Sequence, residues 1–143
     1  PRVAGRAYEA GGSGAAWSED GGETWHAADE GRDRHYTWSV AVDPDDPELW
    51  YVSASTGPYA AHGGRDPQAR IYRRSNDAWD ALAGGLPDPI PAMPYALVAV
   101  EGGLVAGLAD GQLWGSADRG DTWERFELQG EPLTELHALV RAG

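Results

Sequence analysis

The residues best equipped to hold a ligand gather in three loop-like stretches. Arg32, Arg34, His35 and Tyr36 fall in "ADEGRDRHYTW" (28–38), Tyr59, His62, Arg65 and Asp66 in "TGPYAAHGGRDPQ" (56–68), and Tyr95 ends "LPDPIPAMPY" (86–95). Guanidinium forks and phenol rings at the mouth of a cleft suit an anionic group or a sugar. His62 and Asp66 are metal-ligand types, but two ligands make no site and no HExxH-type spacing occurs, so no metal is expected. Glu9, Asp33, Asp66 and Asp88 offer carboxylates. Hydrolysis of a glycoside needs such a pair about 5–9 Å apart, and the sequence does not measure that distance. No Gly-rich loop leads from a strand into a helix, so no nucleotide cofactor is expected.

These residues need a frame, and composition bounds it. A chain of 143 residues suits one compact domain. With 20 Gly, 10 Pro and 7 Trp, it suits short strands joined by tight turns. The formal net charge is -12, which argues against nucleic acid and anionic membrane as partners. Lysine is absent and arginine carries the positive charge, a bias expected of a GC-rich bacterial genome. Without cysteine there is no disulfide framework or thiolate metal site. No apolar run reaches the length of a membrane span, so a soluble protein is expected, cytoplasmic or secreted. The chain opens on Pro1-Arg2 with neither Met nor a leader, as an excised part of a longer protein would.

The frame declares itself through a repeat. "SEDGGETW" (18–25) and "SADRGDTW" (116–123) share the pattern Ser-x-Asp-x-Gly-x-Thr-Trp. A degraded copy, "SNDAW", keeps Ser75, Asp77 and Trp79. The tryptophan anchors Trp25, Trp79 and Trp123 stand 54 and 44 residues apart, and the long loop at 56–68 accounts for the wider interval. A short aromatic strand precedes each copy: "GAAWS", "ARIYRRS" and "GQLWGS". Upstream of each lies a second strand, and before that an alternating run: "YTWSVAVDP", "PYALVAVEG" and, at the C-terminus, "ELHALVRAG". Period two places Tyr36, Trp38, Val40 and Val42 on one face, with Trp38 in the core. Four strands in about 40–50 residues is the period of a β-propeller blade.

The strand count gives an all-β chain of three blades of four antiparallel strands. Residues 1–35, completed by a closing strand at 133–141, form one blade; 36–91 and 92–132 form the others. Three blades cannot close a ring of the usual size. The expectation is therefore a segment of a six- or seven-bladed propeller, or self-association of two copies into six blades.

The two octets resemble the Asp-box, or bacterial neuraminidase repeat, and the whole chain resembles Asp-box propellers of the sialidase-like kind. In that family the box is a hairpin clasp between third and fourth strands. The resemblance therefore implies a structural role for Ser18, Asp20, Gly22, Thr24 and Trp25, and for Ser116, Asp118, Gly120, Thr122 and Trp123. Side-chain oxygens would bond turn amides, Gly would adopt positive φ and Trp would pack under the turn. The family carries ligands on the opposite face, where the three loop stretches above would lie. The expectation is a non-catalytic scaffold or binding module whose partner is a carbohydrate or another protein. The alternative is a glycoside hydrolase of sialidase-like type, acting on a sugar or anionic glycan. A sialidase needs three arginines around a carboxylate, a Tyr–Glu nucleophile pair and an Asp acid, and no motif here places them.

Overall fold

The computed structural model describes residues 3–63 and 66–141. Eleven strands and one short helix follow in order: β1 (Ala7–Gly11), β2 (Gly14–Ser18), β3 (His26–Ala27), β4 (Tyr36–Val42), β5 (Trp50–Ser55), α1 (Pro58–His62), β6 (Arg70–Ser75), β7 (Ala78–Ala81), β8 (Pro94–Val100), β9 (Gly103–Leu108), β10 (Leu113–Ser116) and β11 (Glu124–Phe126). They form three antiparallel meanders in chain order: β1-β2-β3, β4-β5-β6-β7 and β8-β9-β10-β11. The β1–β2, β6–β7 and β8–β9 turns span two residues each, so local pairing specifies their register, whereas residues 56–69 join β5 to β6.

The sheets pack face to face. One core lies between the first and second, where Trp50 meets Tyr8 at 5.4 Å and Trp79 at 4.9 Å between ring centroids. A larger core lies between the second and third and takes in Tyr51, Ile71, Leu86, Leu104 and Trp123. Alternation along the strands explains the division. In β5, Trp50, Val52 and Ala54 join the first core, while Tyr51 points into the second. All six residues of β5 are buried, as expected for a strand covered on both faces. Burial pushes the Tyr51 phenol up to about 12, and its hydroxyl donates to the Arg119 carbonyl at 3.2 Å, tying the two sheets together.

Both octets fold alike. Ser18 Oγ accepts the Gly22 N–H at 2.9 Å and donates to Asp20 Oδ1 at 2.8 Å. Asp20 accepts the Thr24 N–H at 2.9 Å and the Thr24 hydroxyl at 2.6 Å, and Trp25 Nε1 donates to the Gly22 carbonyl at 3.1 Å. In the second octet the same five bonds measure 2.7, 2.7, 2.8, 2.6 and 2.9 Å. Gly22 and Gly120 hold φ of 94° and 99°, a region that side-chain-bearing residues avoid. The threonine hydroxyl, then its amide, then the serine hydroxyl lower the carboxyl of Asp118 to about 2 and that of Asp20 further still.

The two octet tryptophans differ in burial. Trp25 lies along its own turn, with its ring beside Gly22, yet it is 45% exposed, whereas Trp123 is 5% exposed. Trp123 lies against the preceding sheet, where its backbone N–H donates to the Gly84 carbonyl at 2.8 Å. Trp79 reaches back by its ring instead, donating Nε1–H to the Ala28 carbonyl at 2.8 Å. No sheet precedes the first octet among the described residues, so Trp25 has nothing comparable to lie against. One expectation is corrected: Trp38 is not a core residue, being 47% exposed. A register shift between Thr37 and Val40 breaks the period-two alternation, and Thr37 turns inward instead, with its hydroxyl donating to the Gly11 carbonyl at 2.6 Å. The long loop at 56–68 holds α1. Pro58 presets the first turn of α1, and the Gly63 N–H closes it on the Tyr59 carbonyl at 2.8 Å.

The C-terminal segment forms no strand among the described residues. It runs beside the third sheet, where the Leu136 N–H donates to the Ala109 carbonyl at 3.4 Å and the Leu136 side chain covers Gly107.

Candidate functional site

A wall of rings lies at one rim, where β4, α1, β8 and the C-terminal segment converge. Trp38 and Tyr95 each sit in the register shift near the start of the first strand of their sheet. The extra residue turns both side chains out of the core. Their centroids are 5.9 Å apart, and Tyr95 stacks on His137 at 5.9 Å with planes 17° apart. His62 stands among them, edge-on to Trp38 at 4.5 Å and stacked on Tyr95 at 5.6 Å.

Hydrogen bonds fix these rings. The Tyr95 hydroxyl donates to the Ala61 carbonyl at 3.1 Å, so a lone pair on that oxygen receives His62 Nδ1–H at 3.0 Å. His62 Nε2 pairs with the Tyr36 hydroxyl at 2.9 Å. These bonds join strand, helix and strand in one chain. Burial raises the Tyr95 phenol, and the nearby Tyr36 adds to the rise, so Tyr95 is a donor throughout the physiological range.

Beside the rings opens a cleft of about 500 Å³. His62, Tyr95, His137 and Met93 form its apolar side, and Asp66, Asp110 and Glu135 bring carboxylates to it. Asp66 is held by its own turn, accepting the Gln68 N–H at 3.0 Å. Among the described residues no group of three or more His, Cys, Asp or Glu could hold a metal ion.

Of the nine residues singled out from the loops, Tyr36, His62 and Tyr95 come together directly, and Asp66 lines the cleft beside them. Tyr59 is on the exposed side of α1, and His35 is exposed just before β4. Arg65 lies outside the described residues. Arg34 is occupied elsewhere: its Nε donates to the Gln68 carbonyl at 2.9 Å and its Nη1 pairs with Asp33 at 2.6 Å. Asp33 also takes Arg70 at 2.7 Å and the Tyr72 hydroxyl, and that hydroxyl is the first cause of its lowered carboxyl.

Arg32 is not a solvated loop charge. It is 5% exposed, paired with Asp29, with its guanidinium 5.0 Å from the Trp79 ring and 6.0 Å from the Tyr72 ring. Burial disfavours its charge, and the carboxylate and ring faces compensate. It belongs to the packing between the first two sheets. Sequence reasoning missed Trp38 as a site residue because it assigned the ring to the core. It missed His137 because "ELHALVRAG" read only as a strand. The alignment of "ALV" at 96–98 with "ALV" at 138–140 does carry a signal: it places His137 at the position of Tyr95.

The chain matches no protein-family model and no curated protein. Among solved structures it is similar to YCF48 bound to D1 peptide, with 16% identity and a TM-score of 0.63 over 85% of this chain and 36% of that one. It is also similar to a GH74 xyloglucanase from Xanthomonas campestris, with 24% identity and a TM-score of 0.59 over 84% of this chain and 18% of that one. These likenesses, with the three meanders, establish a β-propeller fold. The chain spans about a third or less of each of these neighbours.

Proposed function

We propose that this is a non-catalytic Asp-box propeller segment that serves as a ligand-binding module, with the ring wall and its cleft as the binding surface. The observation that carries the reading is the row Trp38–Tyr95–His137, exposed at Trp38 and His137 and half-buried at Tyr95, braced by His62 and Tyr36. Rigid rings presented to solvent offer large contact area at little entropic cost, and braced rings lose little freedom on binding. The carboxylates of Asp66, Asp110 and Glu135 favour an uncharged or basic ligand. Arg32 and Arg34 are engaged elsewhere, which leaves an anionic ligand without their support. A carbohydrate and a segment of another protein both fit. One neighbour holds a peptide and the other is a xyloglucanase.

The test is titration of the chain with panels of neutral oligosaccharides and of basic and acidic peptides, read by tryptophan fluorescence and calorimetry. Binding is expected for a neutral or basic probe and is lost in Trp38→Ala. Binding that survives Trp38→Ala and Tyr95→Ala together overturns the reading. One observation favours the hydrolase alternative: three carboxylates share one cleft with aromatic rings. Aryl glycosides and aryl sialosides test it, with no turnover expected. Turnover abolished by Asp110→Asn or Glu135→Gln replaces the binding reading.

A further inference from the structure

The cleft beside the rings carries negative charge with no positive charge to match it. Its two sides come from the second and third sheets. Each sheet brings an aspartate just ahead of its third strand, Asp66 before β6 and Asp110 before β10. The two are held alike. Asp66 Oδ1 accepts the Gln68 N–H at 3.0 Å, and its Oδ2 accepts the Gln68 side-chain amide. Asp110 Oδ1 accepts the Gln112 N–H at 3.2 Å, and its Oδ2 accepts the Gln112 side-chain amide at 2.6 Å. The glutamines are fixed in turn. Gln112 Oε1 accepts Trp114 Nε1–H at 3.4 Å, and the Gln68 carbonyl accepts Arg34 Nε–H at 2.9 Å.

Amide donors orient a carboxylate without cancelling its charge. Elsewhere the charge is cancelled: Asp33 pairs with Arg34 and Arg70, and Asp88 with Arg70. Among the described residues Asp66 and Asp110 pair with no arginine, and none that lines the cleft is an arginine. The chain has no lysine. An ionised carboxylate has about four lone-pair positions, so each aspartate can still accept donors from a ligand. Like charges in one cleft repel each other. A cation relieves that repulsion, whereas a neutral sugar bonds to the same oxygens and leaves it in place.

On the reading that the ring wall and its cleft form a binding surface, we infer that the ligand is a peptide segment bearing an arginine. That arginine enters the cleft, with its guanidinium on Asp66 and Asp110 and its carbon stem along Met93 and Tyr95. The planar fork has five donors and can serve two carboxylates at once, whereas a lysine ammonium is one compact, strongly hydrated charge. The guanidinium is also the more weakly hydrated cation, so it sheds water beside aromatic rings at less cost. A cleft of about 500 Å³ falls in the range of pockets that take a whole small ligand, about 300–1,000 Å³. It has room for the residues on either side of the arginine, and Pro91, Ala92 and Met93 offer them an apolar bed.

Calorimetry of the chain with the capped peptides Gly-Leu-X-Leu-Gly, where X is arginine, lysine or citrulline, tests this. The arginine peptide is expected to bind at least about tenfold tighter than the lysine peptide and than the citrulline peptide, which keeps the shape without the charge. Asp66→Asn and Asp110→Asn keep an oxygen for the Gln68 or Gln112 N–H. Each is expected to weaken the arginine peptide about tenfold while circular dichroism stays unchanged. A lysine or citrulline peptide that binds as tightly as the arginine peptide overturns the inference, as do asparagine variants that bind it as tightly as the parent chain. If neutral oligosaccharides bind, lose binding in Trp38→Ala, and no arginine peptide binds, the inference falls and the binding-module reading stands. If no probe binds, both fall.

Discussion

At the residue scale, the two octets show one hydrogen-bond clasp in two settings. The carboxylates of the clasps sit in solvent and work through the bonds that they accept. The Asp118 carboxyl is lowered in the folded chain to about 2 from an ordinary 3.8. A group with a depressed folded pKa contributes stability that is fully present above the unfolded value and is lost as pH falls through the folded one. Acid titration of the fold, followed by near-UV circular dichroism, should therefore show a component between about pH 4 and 2 that weakens in Asp118→Asn. The asparagine can still accept the Thr122 N–H, but its amide nitrogen cannot accept the hydroxyl proton. The tryptophans separate the clasp from its setting. Trp123→Ala empties a buried site and is expected to cost about 3–5 kcal/mol in urea unfolding. Trp25→Ala, at a half-exposed ring, is expected to cost less than about 1 kcal/mol. Equal costs would mean that the clasp, and not the packing behind it, holds the energy.

At the element scale, the site exists because two first strands share an irregularity and a short helix leans on both. Each register shift turns one ring outward, and α1 supplies His62 to link Tyr36 with Tyr95. His62→Ala removes both links. It is expected to lower stability by about 1–2 kcal/mol, since each hydrogen bond contributes roughly 0.5–1.5 kcal/mol net. It is also expected to weaken ligand binding about tenfold, because the rings lose their brace. His62→Gln, which can bond one tyrosine, is expected to fall between, with isothermal calorimetry as the readout. These elements also mark how far the sequence was legible. The octets, the strand periods and the turn residues disclose three meanders, because each signal is local and repeats. The register shift is not local. A one-residue slip moves a side chain to the other face, so Trp38 read as core. Burial of Arg32 depends on Trp79, which is distant in sequence and reaches it only once the first two sheets stack. Tyr36, His62 and Tyr95 were legible as residue types in loops, whereas their meeting depends on how β4 and β8 lie side by side.

At the scale of the whole molecule, net charge bears on which ligand approaches the cleft. A net charge of -12 draws a basic segment in and turns an acidic one away before contact is made. The Debye length falls from about 30 Å at 0.01 M salt to about 8 Å at 0.15 M. Binding of a basic peptide at the cleft carboxylates should therefore weaken as salt rises over that range, with the loss mainly in the association rate. Binding of a neutral oligosaccharide should not change, and calorimetry of both probes in one salt series checks the contrast. The segment that carries His137 allows a second test, since the ring stands on Tyr95 in the cleft while Leu136 and Leu139 cover Gly107. His137→Ala is expected to weaken ligand binding and leave urea unfolding nearly unchanged. Leu136→Asp is expected to weaken binding further, because it releases the segment that carries the ring.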